Sequence, residues 1–219
     1  FAVVVVSDEK KAREALEKFG DDLKNEYRTP DPDVTLCVES AAPTVLPMTN
    51  ADSEKVVTLL TCMPNGLIEL SMDVAGLPQT SLNLGILTTS ENEVSASFCV
   101  RSSVSSQKEM LKKRLTRMTA LLGGTVSYFG EYPAWEFKSD SPILKLCADV
   151  YEKKSGKKPV ITAIHGGLEC GLFSEKMPGL DCVSFGPDIF DIHTPREKLS
   201  VSSLNRTWEF LLEVLKEMK

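Results

Sequence analysis

Two histidines occur in the 219 residues, His165 and His193, and with Arg101 they are the side chains whose types and surroundings point most directly at chemistry. His193 stands before Thr194-Pro195-Arg196-Glu197. Thr194 suits a helix N-cap, Pro195 the first helical turn and Glu197 the return position of a capping box, so the spacing predicts a final helix from Pro195. An imidazole at such a crossing, after the turn Gly186-Pro187-Asp188, is placed to bind a metal or an anion. The other reading is a surface or capping histidine. His165 lies in Ile164-His165-Gly166-Gly167-Leu168-Glu169-Cys170-Gly171, where two glycines let backbone approach a ligand and a helix start offers free N–H donors. An ordinary glycine-rich turn reads the same way. Arg101 precedes Ser102-Ser103-Val104-Ser105-Ser106, and its guanidinium could clamp a carboxylate in bidentate fashion or simply be solvated at a helix entry. A serine hydrolase fits poorly, since no G-x-S-x-G occurs, and a Cys/His site built from Cys170 and His165 has little to recommend it.

These residues need elements to position them. The β-branched run Val3–Val6 predicts a buried strand, and Asp8 caps a helix with Ala12, Ala15, Leu16 and Phe19 on one face, continued by Leu23 and Tyr27. A turn at residues 29–33 leads to a second predicted strand, Val34–Val38, and a helix from Asp52 to Cys62 stops at Pro64-Asn65-Gly66. From Leu67 to Arg101 the period is two. Residues 67–74, 79–88 and 93–100 read as antiparallel strands, with Ser90-Glu91-Asn92 as the last turn. Ser106 to Leu122 returns to helix, ended by Gly123-Gly124, and Val126–Phe129 reads as a strand. Residues 1–131 are therefore expected to be α+β, with helices covering one face of an antiparallel sheet. After a boundary near residue 131, a helix at 141–154, a strand at 160–163, a short helix near Leu168, a strand at 182–185 and the final helix alternate, which argues for α/β organisation over 132–219.

Composition narrows the function classes. The net charge of −6 is interspersed and no Lys/Arg run reaches five, so no nucleic-acid or anionic-membrane surface is expected. The longest apolar stretch falls well short of the ~20 residues of a membrane span. Hydrophobic residues make up 42%, enough for a real core. The six cysteines form no C-x-x-C pair and read as reduced thiols of a cytosolic protein. No signal peptide is visible. The chain opens without an initiator Met inside what reads as a strand, so a fragment or trimmed product is expected.

The motifs Pro64-Asn65-Gly66-Leu67, Thr80-Ser81-Leu82-Asn83-Leu84-Gly85, Arg101-Ser102-Ser103, Tyr132-Pro133-Ala134-Trp135, residues 165–173 and Asp191-Ile192-His193-Thr194-Pro195 occur in that order. Together they resemble the C-terminal portion of the bacterial aminoacyl-histidine (Xaa-His, carnosinase-like) dipeptidases, over essentially the whole chain. The stretch from Ile164 to Phe173 is the most family-specific.

The resemblance implies a catalytic domain interrupted by a lid that mediates dimerisation in relatives. Residues 1–131 would be the later part of that lid and 132–219 the returning part of the catalytic domain. It implies two zinc ions, with manganese or cobalt as substitutes, activating a water for dipeptide hydrolysis in a cytosolic homodimer. His193 would be one metal ligand. The family takes its other ligands and its general base from a segment before the lid, and no H-x-D or Glu-Glu signature occurs here, so no catalytic base is assigned in this chain and the chain alone is expected to be inactive. By the same matching Arg101 would hold the substrate carboxylate, Asn83 would face the substrate, and His165, Gly166 and Gly167 would approach the dipeptide backbone. Two other readings remain: a non-catalytic dimerisation or interaction module, and a related hydrolase of N-acyl amino acids or tripeptides.

Overall fold

A computed structural model of the chain describes residues 1–42, 46–165 and 167–218. It divides into two compact units, Phe1–Val57 and Thr58–Lys219.

In the first unit, α1 (Glu9–Tyr27) begins where Asp8 accepts the backbone N–H of Lys11 at 3.1 Å. Arg13 ties the helix to the following segment, bonding Glu9 at 2.8 Å and Ser40 Oγ at 2.6 Å. α2 (Asn50–Cys62) starts in this unit, with Thr49 Oγ1 accepting the N–H of Asp52 at 3.1 Å. The runs Val3–Val6 and Val34–Val38, predicted as strands, belong to no strand. A β-branched run becomes a strand only beside a neighbour that takes up its N–H and C=O groups, and no ladder partner stands beside either run among the described residues.

The second unit carries the expected helix-on-sheet layer. β1 (Gly66–Leu70), β2 (Pro78–Thr89) and β3 (Val94–Ser102) form an antiparallel sheet in that order. The last turn closes where Ser90 N–H donates to Glu93 O at 2.8 Å. α3 (Ser105–Leu121) covers one face, and Leu111 (0% exposed) and Leu115 pack with Leu82 and Met63. On that same face Thr80 Oγ1 bonds Ser102 Oγ at 2.9 Å and also contacts Gln107 Oε1. Those hydroxyls are thus satisfied inside the core.

The chain then runs without a strand through Val126–Phe129 to α4 (Pro142–Ser155). Ser141 caps α4 by accepting from Leu144 N, and Asp181 accepts from Ile143 N at 2.9 Å. α5 (Glu169–Lys176) and α6 (Val201–Glu217) follow, with the bridge β4 (Ile189–Phe190) and β5 (Lys198–Leu199) between them. Cys147 and Val150 of α4 meet Val214 of α6 in a second core, joined by Phe210, whose ring meets Phe185 edge-on at 4.8 Å. The predicted α/β alternation is realised in its helices. Its strands at 160–163 and 182–185 carry no ladder among the described residues, for the reason given for Val3–Val6. The architecture is a mixture of helices and a small antiparallel sheet.

The final helix departs from expectation. It begins at Val201 behind the cap Ser200, which accepts from Ser203 N at 3.3 Å. The pattern Thr194–Glu197 closes a turn instead: Glu197 Oε2 accepts the N–H of His193 at 2.9 Å, and Thr194 Oγ1 that of Arg196 at 3.1 Å. Asp191 and His193 have φ of 52° and 64°, left-handed conformations that belong to a tight turn and not to a right-handed helix. Pairing of Lys198–Leu199 with Ile189–Phe190 then keeps the chain extended until Ser200.

Candidate functional site

The face of the sheet opposite α3 gathers the side chains that chemistry singled out. Along β2, Thr80 and Leu82 are buried toward α3 while Ser81 and Asn83 fall on the other side, as the two-residue period requires. Register pairs Ser81 with Arg101 and Asn83 with Cys99. Arg101 and Asn83 are both exposed, so the guanidinium stands ready for a solvent-borne partner, directly across from Ser81.

His165 comes to this face from far along the chain. Its Nε2 lies 3.0 Å from Ser81 Oγ, across a sequence separation of 84 residues. Burial first, and the Arg101 charge second, hold the imidazole below its usual pKa of 6.5. Both causes disfavour the cation. At neutral pH the cluster is therefore a permanent guanidinium, a hydroxyl and a neutral imidazole. Such a set attracts a carboxylate through Arg101 and offers neutral hydrogen bonding beside it.

The loop that carries His165 is held close. A Cβ on Gly167 would fall 2.7 Å from Tyr132 Cγ and Cδ1 and 3.1 Å from its Cβ, near the root of the side chain where rotation gives little relief. Glycine at 167 is thus explained by contact with Tyr132. Gly166 lies outside the described residues. The backbone of Tyr132 is in turn held at its carbonyl, which accepts from Lys108 Nζ at 2.5 Å.

His193 stands apart. It sits exposed in its turn, and no hydrogen bond among the described residues joins it to Arg101, Asn83 or His165. Among the described residues no group of three or more His, Cys, Asp or Glu side chains could hold a metal ion. A metal centre needs at least three protein ligands, so these residues by themselves do not fit one. A separate apolar cavity of about 460 Å³ is lined by Trp135, Phe137, Tyr151, Val160, Phe185 and Phe210 among others, and by none of the predicted site residues.

Sequence reasoning brought Arg101, Asn83, His165 and Gly167 forward and passed over Ser81, although it lies in one of the motifs. A bulge keeps its pairing with Arg101 out of reach of a local count. Counting back from the turn, where Thr89 faces Val94, puts Ser81 opposite Ser102; the irregularity between Leu84 and Ile86 leaves Gly85 unpaired and moves Ser81 opposite Arg101.

Comparison with known proteins then decides the family: the model described as Peptidase family M20/M25/M40 matches residues 3–217. The chain belongs to that family. The cytosol non-specific dipeptidase of Escherichia coli (strain K12) is 32% identical over 220 residues, covering 100% of this chain and 45% of that protein. The crystal structure of aminoacylhistidine dipeptidase from Vibrio alginolyticus is 35% identical with a TM-score of 0.85, covering 95% of this chain and 42% of that one. Aminopeptidase PepT from Bacillus cereus, at 20% identity and TM-score 0.57 over 75% of this chain and 44% of that one, shares the fold. The chain thus spans less than half the length of the relatives it matches. The resemblance read from the motifs is borne out, and with it the expectation of a hydrolase fold of the peptidase kind. Peptidases of this family are generally metal-dependent, whereas the residues described here offer one candidate ligand.

Proposed function

We propose that the intact protein is a cytosolic dipeptidase acting on dipeptides with a C-terminal histidine, and that these 219 residues supply its wall for the substrate. The observation that carries the reading is the juxtaposition of Arg101, Ser81 and His165, with Ser81 Oγ 3.0 Å from His165 Nε2. Arg101 binds the substrate carboxylate in bidentate fashion. His165 hydrogen-bonds the dipeptide backbone, Asn83 orients it from further along β2, and Gly166 and Gly167 let the loop approach it. The similarity to an aminoacylhistidine dipeptidase supports the substrate class.

In the proposed assignment His193 would be one ligand of a pair of zinc ions, or of manganese or cobalt in their place, and the metal would supply activation of water. The remaining ligands and the general base come from outside the described residues, so the 219-residue chain alone is inactive. Residues 1–131 act as part of a lid and dimerisation domain, and 132–219 as part of the catalytic domain; sedimentation of the intact protein as a monomer would count against the dimer.

The test is a panel of β-alanyl-histidine, other dipeptides, tripeptides and N-acyl amino acids, assayed with the intact protein. Highest kcat/KM is expected for Xaa-His dipeptides, and Arg101→Ala raises their KM about ten- to a hundredfold, the loss of a charged hydrogen-bonding partner. Preference for acyl amino acids or tripeptides overturns the substrate class, and turnover by the 219-residue chain alone overturns the division of labour.

A further inference from the structure

Ser81 lies between two candidate substrate binders. It faces Arg101 across the β2–β3 ladder and meets His165 Nε2 at 3.0 Å, a distance at which either atom can donate. A guanidinium only donates hydrogen bonds, and its positive field turns a neighbouring hydroxyl dipole so that oxygen faces the cation and the proton faces away. Across the ladder from Arg101, this field favours the arrangement in which the Ser81 proton points to the imidazole. A neutral imidazole that accepts at Nε2 carries its single proton on Nδ1. Among the described residues, no hydrogen bond occupies Nδ1.

We propose that Ser81 is a positioning residue for the substrate site: its hydroxyl, oriented by Arg101, donates to His165 Nε2 and fixes the ring as the Nδ1–H tautomer, which leaves one neutral donor for a peptide carbonyl or carboxylate oxygen of the substrate. The tautomer claim rests on the Ser81–His165 contact together with the Arg101 charge, and its link to substrate rests on the dipeptidase reading above. The depressed basicity of His165 agrees with it, because the ring stays neutral and its tautomer is defined over the physiological range.

The first test is made on the intact protein. Nitrogen chemical shifts of its imidazoles are recorded above pH 7, with His165→Gln identifying the His165 ring by the loss of its signals. His165 is expected in the Nδ1–H form, Ser81→Ala is expected to shift it toward the Nε2–H form, and Ser81→Thr, which keeps the hydroxyl on a strand-compatible side chain, is expected to restore it. A wild-type ring in the Nε2–H form, or a tautomer unmoved in Ser81→Ala, overturns the proposal. A Ser81→Thr chain that folds and yet resembles Ser81→Ala does the same.

The second test uses the intact enzyme. Ser81→Ala is expected to raise KM for a dipeptide about tenfold, the equivalent of one hydrogen bond, with kcat within about twofold and with recovery in Ser81→Thr. A fall in kcat without a change in KM overturns the positioning role. Absence of dipeptidase activity in the wild type would defeat the dipeptidase reading while leaving the tautomer result standing, so the two failures are distinguishable.

Discussion

Replacing Gly171 by alanine tests how tightly the site's loop is seated. Gly171 is a buried position of α5, where alanine is ordinarily the better residue by about 1 kcal/mol. Here the added Cβ would lie 2.8 Å from the carbonyl oxygen of Pro133, 3.5 Å from its carbon and 3.7 Å from Ala134 C. All three are backbone atoms, so no side-chain rotation relieves the contact and α5 or the Tyr132–Trp135 segment must shift. Overpacking of this kind costs about 1–3 kcal/mol. Set against the propensity gain, the expected net loss is about 0–2 kcal/mol, or a urea midpoint lowered by up to roughly 1 M with m unchanged. Gly186 is the control, since a Cβ there meets nothing within 4 Å; Gly186→Ala should be neutral or slightly stabilising. The displacement should also pass along α5 toward Gly167, so the His165 resonances should move in Gly171→Ala and stay in place in Gly186→Ala. Stabilisation of Gly171→Ala by the full propensity gain of about 1 kcal/mol, measured by urea unfolding beside that control, would refute the claim that α5 is seated backbone to backbone.

Leu111→Ala should cost about 2–5 kcal/mol in chemical unfolding, because it empties a site with no exposure between α3 and β2, while the exposed Met110→Ala stays within about 1 kcal/mol. Asp181→Asn should cost about 1 kcal/mol at neutral pH by removing a charged acceptor from the start of α4. Burial raises the Asp181 pKa, but the N–H of Ile143 and the Ser141 hydroxyl, with Lys138 nearby, hold it below 3.8 on balance. The contribution is therefore present above that value and lost as pH falls through the lowered folded value, so the Asn variant and the wild type should converge in acid. His165 has the opposite ionisation. Its folded pKa lies below 6.5, the unfolded chain binds the proton first, and stability falls as pH drops from 6.5 through the folded value; thermal melts of His165→Gln should lose that part of the slope.

What the residues revealed in advance follows a physical line. α1, α3 and α4 were legible because each carries its own local signal, such as Asp8 as the cap of α1 or the apolar stripe of α3 at helical spacing. The β2–β3 hairpin was legible because alternation and a tight turn are both local. The runs at 3–6, 34–38, 126–129, 160–163 and 182–185 have strand composition, yet a strand is a relation between segments and composition supplies only one of them. The helix expected at Pro195 failed for a related reason. Thr194 and Glu197 do accept backbone N–H groups, but those of Arg196 and His193 rather than the pair a capping box joins, on a turn whose left-handed residues Asp191 and His193 sequence could not reveal.

The candidate site divides in the same way between local and long-range causes. Two sets of polar side chains lie on β2 and β3, offset by one residue. Thr80 and Ser102 face α3 and satisfy one another, so they hold the core together and have little left for a ligand. Ser81 and Arg101 lie on the opposite face, with His165 added to them. A slip of one residue would exchange the sets and drive the Arg101 guanidinium toward Leu111 and Leu115, where an unpaired charge is costly. The bulge at Gly85 frees the inner register from the turn, so the core, and not the hairpin end, decides which residues meet. Placement of Arg101 and Ser81 side by side is therefore a consequence of burying Leu82 and Leu111, and the chemistry of the outer face is set by packing on the inner one.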